Sequence, residues 1–227
     1  MIIECRKLNK TYKAEGTNVV AVNNVNFSVR QGEFVVVLGH SGSGKTTLLS
    51  LVGGLTRPDS GEVFIKDVEN WKQTDEQLSH LRNRTIGFMF QFGSLIPSMT
   101  VKENVLLPLS FGSGADADPK LGDELLELVG LADKKNAFPF QLSGGQQRRV
   151  AIARAFINKP DIILADEPTG DLDEETENEI LKIFHMYNVE KNTTFIVVTH
   201  NSHLADFQRN PRIVQMKAGV LSENEEQ

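Results

Sequence analysis

Three short stretches place residues at spacings that suit chemistry on a phosphate. The first is "GHSGSGKT", Gly39 to Thr46, which fits G-x-x-x-x-G-K-[ST]. It follows the apolar run "FVVVLG" and precedes "TLLSLVGG", so it reads as the turn between a buried strand and a helix. In that context Gly39, Gly42 and Gly44 let the backbone wrap phosphate oxygens, and Lys45 reaches the β- and γ-phosphates of a nucleotide. His40, Ser41, Ser43 and Thr47 complete the candidate nucleotide-binding loop, and the Thr46 hydroxyl suits Mg²⁺. The bland alternative is a glycine-rich strand-to-helix turn that holds nothing.

The second stretch is "IILADEP", an apolar strand that ends on Asp166 and Glu167. Asp166 offers a carboxylate to the metal, usually through water. Adjacent residues at a strand end point to different sides, so Glu167 is free to face the γ-phosphate and polarise a water. Otherwise it is a solvated acid. His200 ends the neighbouring strand, "TFIVVTH", and can orient the same water or the γ-phosphate. The third stretch is "QLSGGQQRRVAIARA", residues 141 to 155, a serine and two glycines opening a basic, alanine-rich helix. That is a second anion cradle, because free N–H groups and the helix dipole both point out of its start.

Two other patterns are decoys. "NKPD", Asn158 to Asp161, fits the guanine-reading N-K-x-D, but it joins a helix to a strand instead of following a buried strand. His200 and His203 suggest a metal pair, yet no cysteine or third ligand lies near them.

The rest of the chain must position these residues. "VNNVNFSVRQGE" alternates apolar Val25, Phe27 and Val29 with polar neighbours, as on a half-buried antiparallel sheet, and residues 1 to 38 read as short strands. "FVVVLG", "DIILAD" and "TFIVVTH" are continuous apolar runs, the mark of parallel strands buried on both faces. Another strand lies around "EVFIKD", and "ETENEILKIFHMYNVE" supplies the helix of a parallel strand–helix–strand unit. Between them, "TDEQLSHLRNR" is a helix with a Thr74/Gln77 capping box. "DPKLGDELLELVGL" is another, with Asp118 as N-cap, Pro119 at its first position and Gly130 as its stop. Leu121, Leu125, Leu128 and Val129 share its apolar face. The fold expected is α/β, one domain over residues 1–227. A parallel-sheet core (about 1–70 and 158–227) carries an N-terminal antiparallel β subdomain and an inserted helical subdomain (about 71–157). The final "SENEEQ" reads as a frayed tail.

Composition narrows the function classes. The 227 residues carry a net charge of -6 and no basic stripe, which disfavours nucleic acid as a partner. The single cysteine, Cys5, excludes an internal disulfide and suits a reducing compartment. "MIIECRKLNK" has no apolar core of a signal peptide, and no run approaches the roughly 18 apolar residues of a membrane span. A cytoplasmic location is expected.

Together these motifs resemble the ATP-binding cassette (ABC) ATPases, over essentially the whole chain. "LSGGQ", Leu142, Ser143, Gly144, Gly145 and Gln146, matches the family's signature motif. The resemblance implies an adenine-stacking aromatic, here Tyr12, and a glutamine at the switch into the helical subdomain, here Gln91 in "FMFQFGSLIP". It implies a D-loop, "GDLD" through Asp173, and a switch histidine, His200. It further implies ATP and Mg²⁺ as cofactors, with Thr46, Gln91 and Asp166 serving the metal and Glu167, His200 and Gln91 the catalysis. Two copies, most simply a homodimer, would pack head to tail so that Ser143, Gly144 and Gly145 of one complete the site begun by Lys45 of the other.

"IGFMFQFGSLIPSMTVKENVLLPL" and "ADEPTGDLD" look most like the lipoprotein-releasing and macrolide-exporting branch. The chain would then be peripheral on the cytoplasmic face of a membrane, driving a permease. Asp171 departs from the asparagine usual in that branch, and His40 is less usual in the loop. Phe92, Leu95, Ile96 and Pro97 form an apolar cluster that is either packing of the helical subdomain or a groove for a permease helix. The alternative function is a soluble single-cassette ATPase of repair or cluster assembly.

Overall fold

The structure is a computed structural model that describes residues 1–14, 16–91, 94–112, 119–170, 172–201, 204 and 211–223. In chain order its elements begin with β1 (Ile3–Ala14), β2 (Thr17–Val29), β3 (Phe34–Leu38) and α1 (Lys45–Val52). β4 (Ser60–Ile65), β5 (Val68–Glu69), α2 (Asp75–Thr85) and β6 (Ile86–Met89) follow. Next come α3 (Val101–Leu106), α4 (Pro119–Leu128) and α5 (Gly144–Phe156). The chain closes with β7 (Ile162–Asp166), α6 (Glu174–Lys191), β8 (Thr194–Thr199), β9 (Arg212–Lys217) and β10 (Val220–Glu223).

The continuous apolar runs behave as their composition dictates. β3, β7 and β8 lie side by side and parallel in a six-stranded sheet of order β10-β9-β3-β8-β7-β6, and each sends alternate side chains to opposite faces. Val35, Val37, Ile162, Leu164, Ile196 and Val198 pack on one face with α1 residues Leu48 and Leu51 and with Ile3, Leu8 and Val22 of the second sheet. Phe34, Val36, Ile163, Ala165, Phe195 and Val197 pack on the other with α5 and α6, through Ile152, Phe156, Ile180 and Phe184. Phe156 ties the helices together, its ring 4.0 Å from that of Tyr187 and 6.4 Å from that of Phe195.

The second sheet, β2-β1-β4-β5, is antiparallel. Its first two strands are 12 and 13 residues long, not short, because register shifts along the β1–β2 pair bend the ribbon without ending it. Lys7 and Asn24 take positive φ there. β6 joins the core sheet beside β7, so the helical elements expected from residue 71 are interrupted by a core strand. Gly87 on β6 permits this, since a Cβ there would lie 2.2 Å from the Ala155 carbonyl oxygen of α5.

The Thr74/Gln77 capping box forms as its spacing predicts, with Gln77 N–H donating to Thr74 Oγ1 at 3.2 Å. In α4 the buried face holds Leu125 and Leu126 and continues to Val129, whereas Leu128 points outward. Gly122 shifts that face, because a Cβ there would sit 2.7 Å from Leu106 Cδ2, so α3 approaches α4 at the glycine. The Asp118 cap, Phe92, Asp171, His203 and the last four residues lie outside the described residues.

Candidate active site

Parallel pairing brings three strand ends to one edge of the sheet. Leu38 of β3 pairs with Thr199 of β8, and Val198 pairs with Asp166 of β7. The loop from Gly39, the Asp166–Glu167 pair and the Thr199–His200 pair therefore leave the sheet side by side, where open α/β sheets bind ligands.

The Gly39–Thr46 loop is glycine-dependent at specific points. Gly44 has φ +105°, and a Cβ there would meet the Ala21 carbonyl oxygen at 2.0 Å. Gly42 is also left-handed, with open space around it. Lys45 is buried and curls into the loop, its Nζ donating to the carbonyls of Gly39 at 2.6 Å and His40 at 3.3 Å. The His40 carbonyl also accepts from Ser43 N–H, while Ser43 Oγ is buried with no hydrogen-bond partner among the described residues. His40, Ser41 and Thr46 are exposed, and Thr47 is half-buried on α1.

Asp166 and Glu167 diverge, as adjacent residues at a strand end must. Asp166 turns to the loop and accepts from the Thr46 hydroxyl. Burial holds its carboxyl above the usual aspartate range, opposed by the Thr46 hydrogen bond and the Lys45 charge and reinforced by Glu167. Glu167 turns to β8. Its Oε2 accepts from Thr199 Oγ1 at 2.8 Å, and its Oε1 accepts from His200 N–H at 3.0 Å with His200 Nδ1 2.9 Å away. The turn requires φ +47° at Glu167, a conformation that costs a non-glycine residue about 1–3 kcal/mol. Thr199, which the sequence reading passed over, is thus the group that fixes Glu167. A threonine closing an otherwise apolar buried strand was the signal for it.

Two expected members come from other elements. Tyr12 is an exposed residue of β1 paired with Val19, on the strand pair whose Ala21 carbonyl abuts Gly44. Gln91 is exposed beyond β6, and its carbonyl accepts from Arg148 Nη2 at 2.7 Å, which ties it to α5. Asp173 caps α6, accepting from Thr176 N–H at 2.9 Å and Thr176 Oγ1 at 2.8 Å, and these bonds lower its pKa.

The signature turn opens α5. Ser143 Oγ accepts from Gln146 N–H at 3.2 Å, and Gln146 Oε1 accepts from Ser143 N–H at 2.9 Å, a reciprocal capping box. Leu142 is buried beneath it, and a Cβ on Gly144 would meet nothing within 4 Å. The N–H groups of Gly144 and Gly145 are left for a partner. Among the described residues no hydrogen bond joins this turn to the Lys45 loop. One chain holds both cradles on separate elements, one between β3 and α1 and the other at the start of α5.

The family profile described as ABC transporter matches residues 22–170, which hold both cradles, Gln91, Asp166 and Glu167. The chain belongs to the ABC transporter family. It is 42% identical over 221 residues to the lipoprotein-releasing system ATP-binding protein LolD of Idiomarina loihiensis, covering 97% of this chain and 96% of that one. It is 43% identical over 223 residues to the macrolide export ATP-binding/permease protein MacB of Syntrophobacter fumaroxidans. That alignment covers 97% of this chain and 31% of the longer MacB. Among solved structures, the dimeric post-hydrolysis state of the ATP-binding cassette MJ0796 bound to ADP and Pi superposes with a TM-score of 0.91. The two are 39% identical, with 99% of this chain and 100% of that one covered; MJ0796 is from Methanocaldococcus jannaschii. Within the ABC transporter match, the cradles and the acidic pair are family territory, whereas Tyr12, Asp173 and His200 fall outside the matched residues.

Proposed function

We propose that this chain is the ATP-hydrolysing subunit of an ABC transporter, and that two copies close head to tail around two ATP. The carrying observation is the separation of two anion cradles within one chain, one at the strand edge with Asp166 and Glu167 and the other on α5. A relative of closely similar fold, MJ0796, was solved as a dimer with ADP and Pi.

ATP would sit with its adenine on Tyr12 and its phosphates in the Gly39–Thr46 loop. Lys45 then exchanges the Gly39 and His40 carbonyls for β- and γ-phosphate oxygens. Thr46, Asp166 and the Gln91 side chain would hold Mg²⁺, a hard-oxygen set with one carboxylate that suits this ion. When bound, it neutralises charge developing on the phosphates.

Glu167 takes the proton of a water that attacks the γ-phosphorus; the bond to the β-phosphate bridging oxygen breaks, and ADP and phosphate result. A carboxylate has about four lone-pair sites, so the bonds from Thr199 and His200 orient Glu167 and leave it capacity for the water. His200, held against Glu167, would steady both that carboxylate and the transferring group. Ser143, Gly144 and Gly145 of the second copy cover the γ-phosphate.

The permease contact is placed on a groove of about 460 Å³ lined by Leu55, Phe88, Phe90 and Phe111, with Arg82 and Arg154 among its polar walls. Ser94, in the segment expected to meet the permease through Phe92 and Leu95, also lines this groove. MacB, whose name joins ATP-binding and permease, supports such a pairing. No helix among the described residues is long and apolar enough to cross a membrane. The proposed position is peripheral, on the cytoplasmic face of a membrane and in contact with a permease.

The test is turnover. Glu167→Gln should keep Mg-ATP binding within about threefold and lose about a hundredfold or more of kcat, the range of general-base contributions. Near-normal kcat in that variant would overturn the assignment.

A further inference from the structure

Phe140 is the most exposed large apolar side chain among the described residues, at 77% of its full area, three positions before the signature serine. A floppy loop would leave such a ring unremarked, but this one is rigidly presented. Phe138 stacks on it with ring centroids 5.9 Å apart and planes 10° off parallel. Phe138 N–H donates to Gln141 Oε1 at 2.8 Å. Gln147 of α5 donates through Nε2 to the Pro139 carbonyl at 3.0 Å and the Leu142 carbonyl at 3.3 Å. The turn carrying Phe140 is thereby locked to the signature helix, and the ring moves with the cradle. A rigid aromatic held in water beside a functional turn has the character of an interface anchor.

A surface of matching chemistry flanks the other cradle. Tyr12 and Val19, paired across the β1–β2 ribbon and so on one face of it, are 42% and 52% exposed, and the ribbon's Ala21 carbonyl abuts Gly44 of the Lys45 loop. In a head-to-tail pair, whatever borders the signature cradle of one copy meets whatever borders the Lys45 loop of the other. We propose that Phe140 is an anchor of the ATP-loaded dimer, packing on the β1–β2 ribbon of a second copy of this chain beside its bound nucleotide. The inference rests on the head-to-tail reading above.

The experiment measures the dimer dissociation constant of Glu167→Gln in Mg-ATP by sedimentation over a concentration series. The same is done for that protein carrying Phe140→Ala, Phe140→Tyr or Val189→Ser, while equilibrium dialysis at high dilution gives the ATP affinity of each monomer. Val189 is 63% exposed on α6 and serves as the control. Phe140→Ala should weaken the dimer about tenfold or more with monomer ATP affinity unchanged, Phe140→Tyr should restore it, and Val189→Ser should not matter. An undiminished dimer in Phe140→Ala overturns the inference alone. Parallel loss of monomer ATP binding also overturns it, since Phe140 would then serve the fold. If Glu167→Gln itself never dimerises, the head-to-tail reading falls and the inference with it.

Discussion

At the scale of single residues, the acidic pair shows how one strand end makes two carboxylates unlike. Asp166 is buried against Thr46, and Glu167 is twisted into the left-handed region to reach Thr199 and His200. Both arrangements cost stability and are held by the strands around them. The pKa shift of Asp166 gives that cost a sign. A carboxyl raised by burial stabilises the fold below its unfolded pKa, and the contribution is lost as pH rises through the folded pKa. Asp166→Asn removes this loss and keeps an acceptor for Thr46. Thermal melts should show the variant above the parent at pH 7, with the gap closing toward acid. A variant that melts lower at pH 7 would mean that Lys45 and Thr46 outweigh desolvation. The pair itself was legible in "IILADEP", but its orientation was not, because the partners come from elsewhere in the chain, Thr46 from the start of α1 and Thr199 and His200 from the end of β8.

At the scale of elements, the two cradles differ in what their glycines are for. Gly44 is required by the fold, with a left-handed φ and the Ala21 carbonyl 2.0 Å from any Cβ. Gly144 has right of way into open space and sits at the first position of α5, where alanine is compatible with the helix. Gly44→Ala should therefore lower Tm by about 5 °C or more, whereas Gly144→Ala should leave Tm the same or slightly higher. Yet Gly144→Ala should lose about tenfold or more of turnover, because the proposed dimer brings the second copy's γ-phosphate into that space. Calorimetry beside a steady-state assay separates the cases, and full activity in Gly144→Ala would contradict the role given to α5. Local patterns announced the P-loop, the signature turn, the buried strands and the Thr74 cap. They did not announce the β9–β10 hairpin that extends the core sheet, the Gly122-centred packing of α4 or the Arg148 bond to Gln91. Each of these depends on contacts between residues far apart in sequence, and periodicity within a segment does not encode such contacts.

At the scale of the whole molecule, the proposed reading gives a six-stranded sheet and its two cores half of each of two reaction sites, and gives the exposed apolar groove beside β6 to the permease. Phe111 is 68% exposed on that groove. Phe111→Ser should reduce retention of the chain on membranes containing its permease by about tenfold and leave the ATPase rate of the isolated chain within about twofold. Unchanged retention would place the contact elsewhere. The measurement that most directly tests the division of each site between two chains is the solution mass of Glu167→Gln with and without Mg-ATP, by sedimentation or light scattering. A doubling that needs both Mg²⁺ and ATP and is lost in Lys45→Ala is the predicted result. A mass that stays at 25.2 kDa at saturating Mg-ATP would contradict it.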